Sequence, residues 1–312
     1  MNPKPIRLRD FIEDRDGWLY AVSAYDNSDR VGCVLRYVPD PQGERSNLEG
    51  VRYRKLEFEE AYAKIAAEKP SYADRIQRVP HGDIARVFKP EDELEDCAGR
   101  DHRIRRLLEI FGLPPGSIGI TGSFLCGLEV ASSDIDLVVY GPDWFLAQET
   151  LRTAIAQGIV EDLDDAMWHR VYRKRNPEIS YEEFMLHEIR KWNRGVIEDT
   201  YFDLLYTRSY DDLDRMITGP GEKDGKMTIE AMVTDASLAF DNPAVYRVQH
   251  PDISKVLSFT HTYSGQALAG ETIEARGVCE RHGDERWLIV GTTREARGEY
   301  IRSLTLLEGQ EK

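Results

Sequence analysis

The pattern of apolar and polar positions divides the chain into three regions. Residues 1–90 mix short strand-like runs with one stretch of good helix formers, "FEEAYAKIAAE", which predicts an α+β domain. Residues 91–218 alternate helical patterns with short apolar runs, as α/β domains do. Residues 226–312 contain only strand-like runs, which predicts a small β-barrel or sandwich. The sequence therefore predicts a multidomain α+β protein with an α/β core.

The core region has the most detailed pattern. "DHRIRRLLEIFG" is an amphipathic helix that Gly112 ends, and "SIGITGS" and "DIDLVVYG" are short strands. A third strand is expected in "TYFDLLYTR", and a helical insert of about residues 160–195 would separate it from the second strand. The Gly-rich segment 219–225 is expected to be a flexible linker, because its spacing does not match a phosphate-binding P-loop.

Composition and charge narrow the class of protein. The 312 residues carry a net charge of −15, which argues against broad, charge-driven binding to nucleic acid and leaves a local basic groove open. No apolar run is long enough to span a bilayer, and the N-terminal residues lack the apolar segment of a signal peptide. The four cysteines include no C-x-x-C pair, so free thiols are expected rather than a zinc site. We therefore expect a cytoplasmic protein.

Two carboxylates stand at the start of a predicted strand in "GITGSFLCGLEVASSDIDLVVYG", residues 119–141. Residues two apart in a strand share a face, about 6.6 Å apart, so Asp134 and Asp136 would point the same way. Such a pair repels when buried unless a cation neutralises it, and the immediate segment contains no Lys or Arg. Mg²⁺ prefers oxygen ligands and shares them with substrate phosphates. The pair therefore predicts a site for Mg²⁺, or for Mn²⁺ in its place.

Gly122 and Ser123 supply a complementary feature at the predicted strand-to-helix turn. Glycine lets the backbone approach a ligand closely, and a serine hydroxyl with backbone N–H groups at a helix start can hold a phosphate. Together with the two acids, they predict a site for a metal-bound nucleoside triphosphate such as ATP.

These residues resemble the nucleotidyltransferase signature of the DNA polymerase beta superfamily. That signature is Gly-Ser, a short spacer and then Asp-hydrophobic-Asp opening an apolar strand, and Gly122, Ser123, Asp134 and Asp136 match it. The resemblance covers roughly residues 100–208, and the three-region plan also resembles predicted archaeal nucleotidyltransferases of unassigned substrate. It implies a core with a mixed sheet, flanked by the N-terminal α+β domain and the C-terminal β domain.

The resemblance also implies a third acid on a neighbouring strand. Asp203 in "TYFDLLYT" is the candidate, and Asp199 and Glu198 just before that strand are weaker ones. In the implied two-metal mechanism, Asp134, Asp136 and Asp203 hold the metals and Asp203 helps draw the proton from the acceptor. A nucleoside monophosphate moves to the acceptor, and pyrophosphate leaves.

The acceptor stays open between RNA, protein and a small molecule. A basic cluster in "HRVYRKRNPE" could serve an RNA, and Arg190, Lys191 and Arg194 continue it, although solvated helix faces are at least as good an interpretation. The residues of the cluster are Arg170, Arg173, Lys174 and Arg175. The alternative function is a non-catalytic nucleotide or RNA sensor on the same fold. An antitoxin-like partner protein ranks last.

Overall fold

The computed structural model describes residues 4–215, 219–293 and 296–309. The chain forms two compact units, and each is described by itself. The first unit comprises residues 1–161 and 194–217, and the second comprises residues 162–193 and 218–312. The predicted three-domain division stays a prediction; most of the predicted helical insert belongs to the same unit as the C-terminal strands.

The secondary structure of the first unit has eleven strands and five α-helices within the described residues. Its strands are β1 Phe11–Asp14, β2 Leu19–Val22, β3 Arg30–Pro39, β4 Arg45–Ser46, β5 Arg52–Lys55, β6 Gln77–Pro80, β7 Ile84–Phe88, β8 Ile118–Thr121, β9 Ile135–Tyr140, β10 Arg194–Ile197 and β11 Thr200–Thr207. Its helices are α1 Phe58–Glu68, α2 Pro90–Arg100, α3 His102–Phe111, α4 Gly122–Leu125 and α5 Asp143–Ala156, with short 3₁₀ turns at Pro70–Tyr72, His81–Asp83 and Tyr210–Arg215.

The N-terminal sheet of the first unit is apolar on both faces. Its strand order is β4-β5-β3-β2-β1-β7, and β6 also pairs with β3. One face packs against α1 through Ala61 and Ile65. Ile12 and Tyr20 lie on this face. Successive strand residues point to opposite faces, so the adjacent Phe11 and Leu19 lie on the other face, where they pack with Leu125 and Leu128 just after β8. The sheet is therefore packed against the segment that follows Gly122-Ser123.

The core sheet has the order β10-β11-β9-β8. Strand β11 runs parallel to β9, while β8 pairs with β9 and β10 with β11 in antiparallel fashion, so the predicted mixed sheet is present. Phe111 of α3 packs edge-to-face on Phe202 of β11, with ring centroids 6.4 Å apart. Gly112 ends α3 in the left-handed conformation, as the sequence predicts.

The acidic stretch that begins at Pro90, where the predicted N-terminal domain ends, forms a helix. Pro90 occupies the first turn of α2, where its missing N–H is not needed, and three acids follow it near the positive end of the helix dipole: Glu91, Asp92 and Glu93.

The second unit combines a helical pair with the C-terminal strands. Its helices are α6 Asp165–Arg175, α7 Tyr181–Glu188 and α8 Leu304–Glu308, with a 3₁₀ turn at His261–Tyr263. Its strands are β12 Glu222–Leu238, β13 Ala244–Gln249, β14 Lys255–Ser258, β15 Thr272–His282, β16 Glu285–Val290 and β17 Tyr300–Ser303. Part of the predicted linker 219–225 is thus the start of β12.

The C-terminal strands form one sheet of order β12-β13-β14-β16-β15-β17, and β12 also pairs with β15. A sandwich of two sheets is therefore wrong. Among the described strands, β12, β13, β14, β16 and β15 are joined by a continuous ring of pairings, and β17 extends it by pairing with β15. No helix in the described parts of the chain is long and apolar enough to cross a membrane. The four cysteines are free, buried thiols.

Candidate active site

One row of residues crosses the core sheet at the start of β9. Thr121 of β8 lies opposite Asp136 of β9, Asp136 lies opposite Asp203 of β11, and Asp203 lies opposite Arg194 of β10. Residues directly opposite each other on paired strands share a face of the sheet. The row therefore places two carboxylates side by side, with a hydroxyl at one end and a guanidinium at the other.

Gly122 leaves the space that the Asp136 carboxylate occupies. It has φ +69°, and a Cβ added to it would lie 2.5 Å from Oδ2 of Asp136. Only glycine combines this left-handed backbone with so close an approach. Thr121 is fixed as well, because its hydroxyl donates to the Arg9 carbonyl oxygen at 2.7 Å. The turn from β8 into α4 is thus shaped around Asp136.

The two predicted metal-binding aspartates of the motif differ in exposure. Asp136 is half-buried in β9, whereas Asp134 is exposed and lies just before that strand. The preceding Ser133 is buried, and its Oγ accepts a hydrogen bond from the Val130 amide at 2.9 Å. The structure thus places Asp136 beside Asp203 and leaves Asp134 at the exposed rim. Among the described residues, no three acidic, histidine or cysteine side chains are grouped closely enough to hold a metal ion.

The carboxylate of Asp203 has a charged neighbour but lacks a hydrogen bond at one of its oxygens. Its side chain is 21% exposed, and its Oδ1 lies 3.8 Å from Nε of the nearly buried Arg194. That oxygen is buried and accepts no hydrogen bond from the described residues. A buried carboxylate oxygen without a donor is costly unless a further group completes its surroundings. The Oδ1 atom of Asp203 is therefore balanced by the charge of Arg194 without a hydrogen bond.

Ser123 and the residues after it lie next to the row, in and just after α4. Ser123 is half-buried in α4, and its carbonyl oxygen accepts from the Leu128 amide at 2.9 Å. Tyr37 of β3 packs nearby, and burial raises its pKa to about 12, with Asp136 adding to the rise and Arg45 and Arg36 opposing it. Burial also raises the pKa of the Cys126 thiol well above its usual value, so this cysteine is a packing residue.

The basic residues proposed for an RNA acceptor divide into two groups. Arg170, Arg173 and Lys174 on α6 are exposed. Arg175 instead faces Glu188 at 3.4 Å and donates to the His261 carbonyl oxygen. The continuation is also built into the fold, because Arg190 pairs with Glu271 at 2.6 Å, Lys191 pairs with Glu188 at 2.5 Å, and Arg194 lies in the row. These three are therefore not exposed contacts for an acceptor.

Sequence reasoning missed β10 and with it the position of Arg194. The strand is only four residues long, and its "RGVI" follows a run of helical and charged residues that hides it. The apolar run itself was the only available signal, and it is too short to separate a strand from a helix end.

Comparison with known proteins identifies the class of protein that the sequence motif predicts. Residues 104–194 match a family model described as a nucleotidyltransferase domain. The matched range contains Gly122, Ser123, Asp134 and Asp136 and ends before Asp203. Residues 104–194, which include β8 and β9 of the core sheet, thus belong to a nucleotidyltransferase domain of the DNA polymerase beta superfamily.

The chain also has a relative that matches along nearly its whole length. It is 37% identical to the uncharacterized protein MJ1086 of the archaeon Methanocaldococcus jannaschii over 335 aligned positions, which cover 95% of this chain and 98% of the relative. The chain belongs to the nucleotidyltransferase family that includes this archaeal protein. No solved structure matches the chain.

Proposed function

We propose that this protein is a metal-dependent nucleotidyltransferase that moves a nucleoside monophosphate from a nucleoside triphosphate to an acceptor. Asp134, Asp136 and Asp203 would hold two divalent cations, Mg²⁺ or Mn²⁺, and Gly122 and Ser123 would position the triphosphate. The family match supports a nucleotide substrate in general terms. The observation that carries the proposal is the register of Asp136 against Asp203, with Gly122 shaped around the first of them.

The residues present fit a hard divalent cation. Carboxylate oxygens are the ligands that Mg²⁺ prefers, and Asp136 and Asp203 present theirs from adjacent parallel strands. The Oδ1 atom of Asp203 is buried without a hydrogen-bond donor, which is expected of a ligand atom. Divalent cations bound there would stabilise the charge that develops on the transferred phosphoryl group and on the leaving oxygen.

In the reaction we propose, an acceptor oxygen attacks the α-phosphorus in line with the leaving group. The new bond joins the acceptor oxygen to phosphorus, and the bond from the α-phosphorus to the bridging oxygen breaks to release pyrophosphate. The acceptor proton passes to the carboxylate of Asp203. Ser123 and the backbone at Gly122 orient the triphosphate, which lowers the barrier by fixing the reacting atoms before attack.

A non-catalytic nucleotide sensor is the second candidate. The observation in its favour is that Asp134 is exposed and that the described acids do not form a group of three around one point. A sensor would bind nucleoside triphosphate with metal and release it unchanged. The two candidates therefore differ in turnover rather than in binding.

Label transfer from each α-phosphate-labelled nucleoside triphosphate tests the proposal. The reactions contain Mg²⁺ or Mn²⁺ with total RNA, total protein or small-molecule extract from the source cells. Asp136→Asn and Asp203→Asn should abolish transfer, while Asp199→Asn should not, because Asp199 is exposed in the turn before β11 at φ +60°, which asparagine tolerates. Metal-dependent triphosphate binding without label in any pool would support the sensor instead.

The exposed charges of α6 give that experiment a further arm. We propose RNA as one acceptor class on account of Arg170, Arg173 and Lys174, which are exposed on one helix of the second unit. Replacing all three with glutamine should weaken transfer to RNA. The free energy of unfolding should stay nearly unchanged, since exposed charges contribute little to stability. Unchanged transfer to RNA would remove these residues from the acceptor site.

A further inference from the structure

The loop between α4 and β9 carries Asp134 and is held by its own hydrogen bonds. The Gly127 amide donates to the Phe124 carbonyl oxygen at 3.1 Å, and the Ser133 amide donates to the Val130 carbonyl oxygen at 2.8 Å. These bonds form two separate turns, one at each end of the loop. They do not by themselves fix the second turn relative to the first.

Arg45 of the N-terminal sheet joins the two turns. Its Nη1 donates to the Leu128 carbonyl oxygen at 2.6 Å, and the same atom lies 3.5 Å from Oγ of Ser133. The Arg45 side chain is only 12% exposed, and its guanidinium lies 5.8 Å from the ring centroid of Tyr37. One largely buried guanidinium therefore contacts both ends of the stretch that leads to Asp134.

This contact reaches the site through a single peptide bond. Ser133 is buried and directly precedes Asp134, whose own side chain is exposed. An exposed carboxylate that must hold a metal needs its orientation fixed by the residues behind it, because outer partners of metal ligands set the ligand geometry. Arg45 contacts Ser133 from outside the loop.

We infer that Arg45 is a positioning residue of the nucleotidyl-transfer site. It acts through Leu128 and Ser133 to hold Asp134 where a divalent cation can bind. The inference rests on the proposed function, and it gives the N-terminal sheet a part in the site that the family match at residues 104–194 does not cover. Lysine replaces this arrangement only in part, because its ammonium group lacks the planar guanidinium that lies over the Tyr37 ring.

A purely structural role for Arg45 is the competing explanation, and Arg52 provides the control. The two residues stand on the paired strands β4 and β5, which end the sheet. Arg52 donates through Nε and Nη2 to the Gly43 carbonyl oxygen, at 2.9 and 2.6 Å, and so supports the hairpin without a contact to the loop. Arg52→Ala therefore damages the hairpin and leaves the loop contact in place.

Mn²⁺ binding to the full chain, followed by electron paramagnetic resonance without nucleotide, tests the inference. Arg45→Ala should weaken Mn²⁺ binding roughly tenfold or more, the usual cost of losing an outer partner of a metal ligand. Arg45→Lys should give a smaller loss, and Ser133→Ala should weaken binding in the same direction. Arg52→Ala should bind Mn²⁺ as the native chain does, and thermal unfolding should place Arg45→Ala within a few degrees of Arg52→Ala.

Turnover adds a second measurement. If the native chain transfers nucleotide, Arg45→Ala should lower kcat far more than it changes KM for the triphosphate. Equal Mn²⁺ affinity of Arg45→Ala and Arg52→Ala would overturn the inference and leave the proposed function intact. If the native chain binds no Mn²⁺, or binds it equally well without the Asp136 carboxylate, both the proposed function and the inference are overturned.

Discussion

Two groups of charged side chains in the first unit differ in how their atoms are partnered. Around Glu91, Oε1 accepts from Lys4 and Tyr210, and Oε2 accepts from Arg7 and Tyr140. In the row across the core sheet, the buried Oδ1 of Asp203 accepts no hydrogen bond from the described residues. A buried carboxylate whose oxygens all accept hydrogen bonds stabilises the fold, whereas Oδ1 of Asp203 is balanced by the Arg194 guanidinium at 3.8 Å without a hydrogen bond, which costs stability.

The charge of Glu91 is balanced by the nearly buried Arg7. Arg7 lies between the rings of Tyr140 and Tyr210, at 3.8 and 3.7 Å from their centroids. Burial opposes ionisation of Glu91, but Arg7, the backbone and the hydrogen bonds from Tyr210 and Lys4 outweigh it and lower the pKa of Glu91 to about 2. This group ties residues before β1 to α2 and to the end of β9, and both carboxylate oxygens of Glu91 accept hydrogen bonds within it.

The largest predicted effect on stability follows from that group. Glu91→Gln should lower the free energy of unfolding by about 3 kcal/mol or more, because it leaves the buried Arg7 without its counter-charge. Urea denaturation would measure the loss. Glu93→Gln is the control, since Glu93 meets the half-exposed Arg86 at 3.3 Å and its removal should cost under about 1 kcal/mol. Similar values for the two variants would contradict the comparison.

A second fully partnered group predicts the effect of pH on the second unit. His187 accepts from the Ser303 amide at Nε2, 2.9 Å away, and its Nδ1 faces the Glu183 carbonyl oxygen at 2.6 Å. Burial lowers the pKa of His187 to about 4. The unfolded chain, with a histidine pKa near 6.5, therefore binds more protons between these values, and stability is lost as the pH falls.

The expected loss for His187 is roughly 3 kcal/mol between pH 7 and pH 4, from 1.36 kcal/mol per pKa unit. Denaturation at several pH values would measure it. His187→Gln should flatten the dependence over this range even if it lowers stability throughout. His169→Gln, at an exposed position stacked on Tyr181, should leave the slope unchanged. A slope that is the same in both variants would show that His187 does not carry the effect.

Substitution of Gly122 should have the smallest effect on stability of the three changes, but it should also affect metal binding at the site. Gly122→Ala should cost about 1–2 kcal/mol for the left-handed backbone and should also weaken Mn²⁺ binding, because its Cβ would displace Oδ2 of Asp136. Gly127→Ala has a similar backbone, φ +62°, but its Cβ would meet Leu48 at 3.4 Å instead. The two variants should lose similar stability, and only the first should lose metal binding. Equal Mn²⁺ affinity would mean that Gly122 is not shaped around a metal ligand.

The sequence was most informative where chemistry and periodicity agreed. The Gly-Ser turn, the strand after Asp134 and the strand around Asp203 each combine an apolar run with residues that a buried strand would not otherwise tolerate. The family assignment follows from that combination and is confirmed by the comparisons. The roles of the individual site residues stay predictions.

Other features depended on contacts that no local pattern records. Arg194 reads as one more basic residue until β10 pairs with β11, and Arg45 reads as an exposed hairpin residue until β4 meets the loop before β9. The first contact forms within one short hairpin, whereas the second joins residues 83 positions apart in the chain. The segment 219–225 misled for a different reason, since its glycines suggested a linker while pairing with β15 draws Glu222 and Lys223 into β12.

The central claim is that Asp136 and Asp203 bind a divalent cation together, and Mn²⁺ titration of four proteins tests it most directly. These are the native chain, Asp136→Asn, Asp203→Asn and Asp199→Asn. The account predicts that the first two variants each lose at least about tenfold in affinity, because each removes a charged ligand, and that Asp199→Asn binds as the native chain does. Native affinity in Asp203→Asn would contradict the claim, since the cation would then be held without the acid on β11.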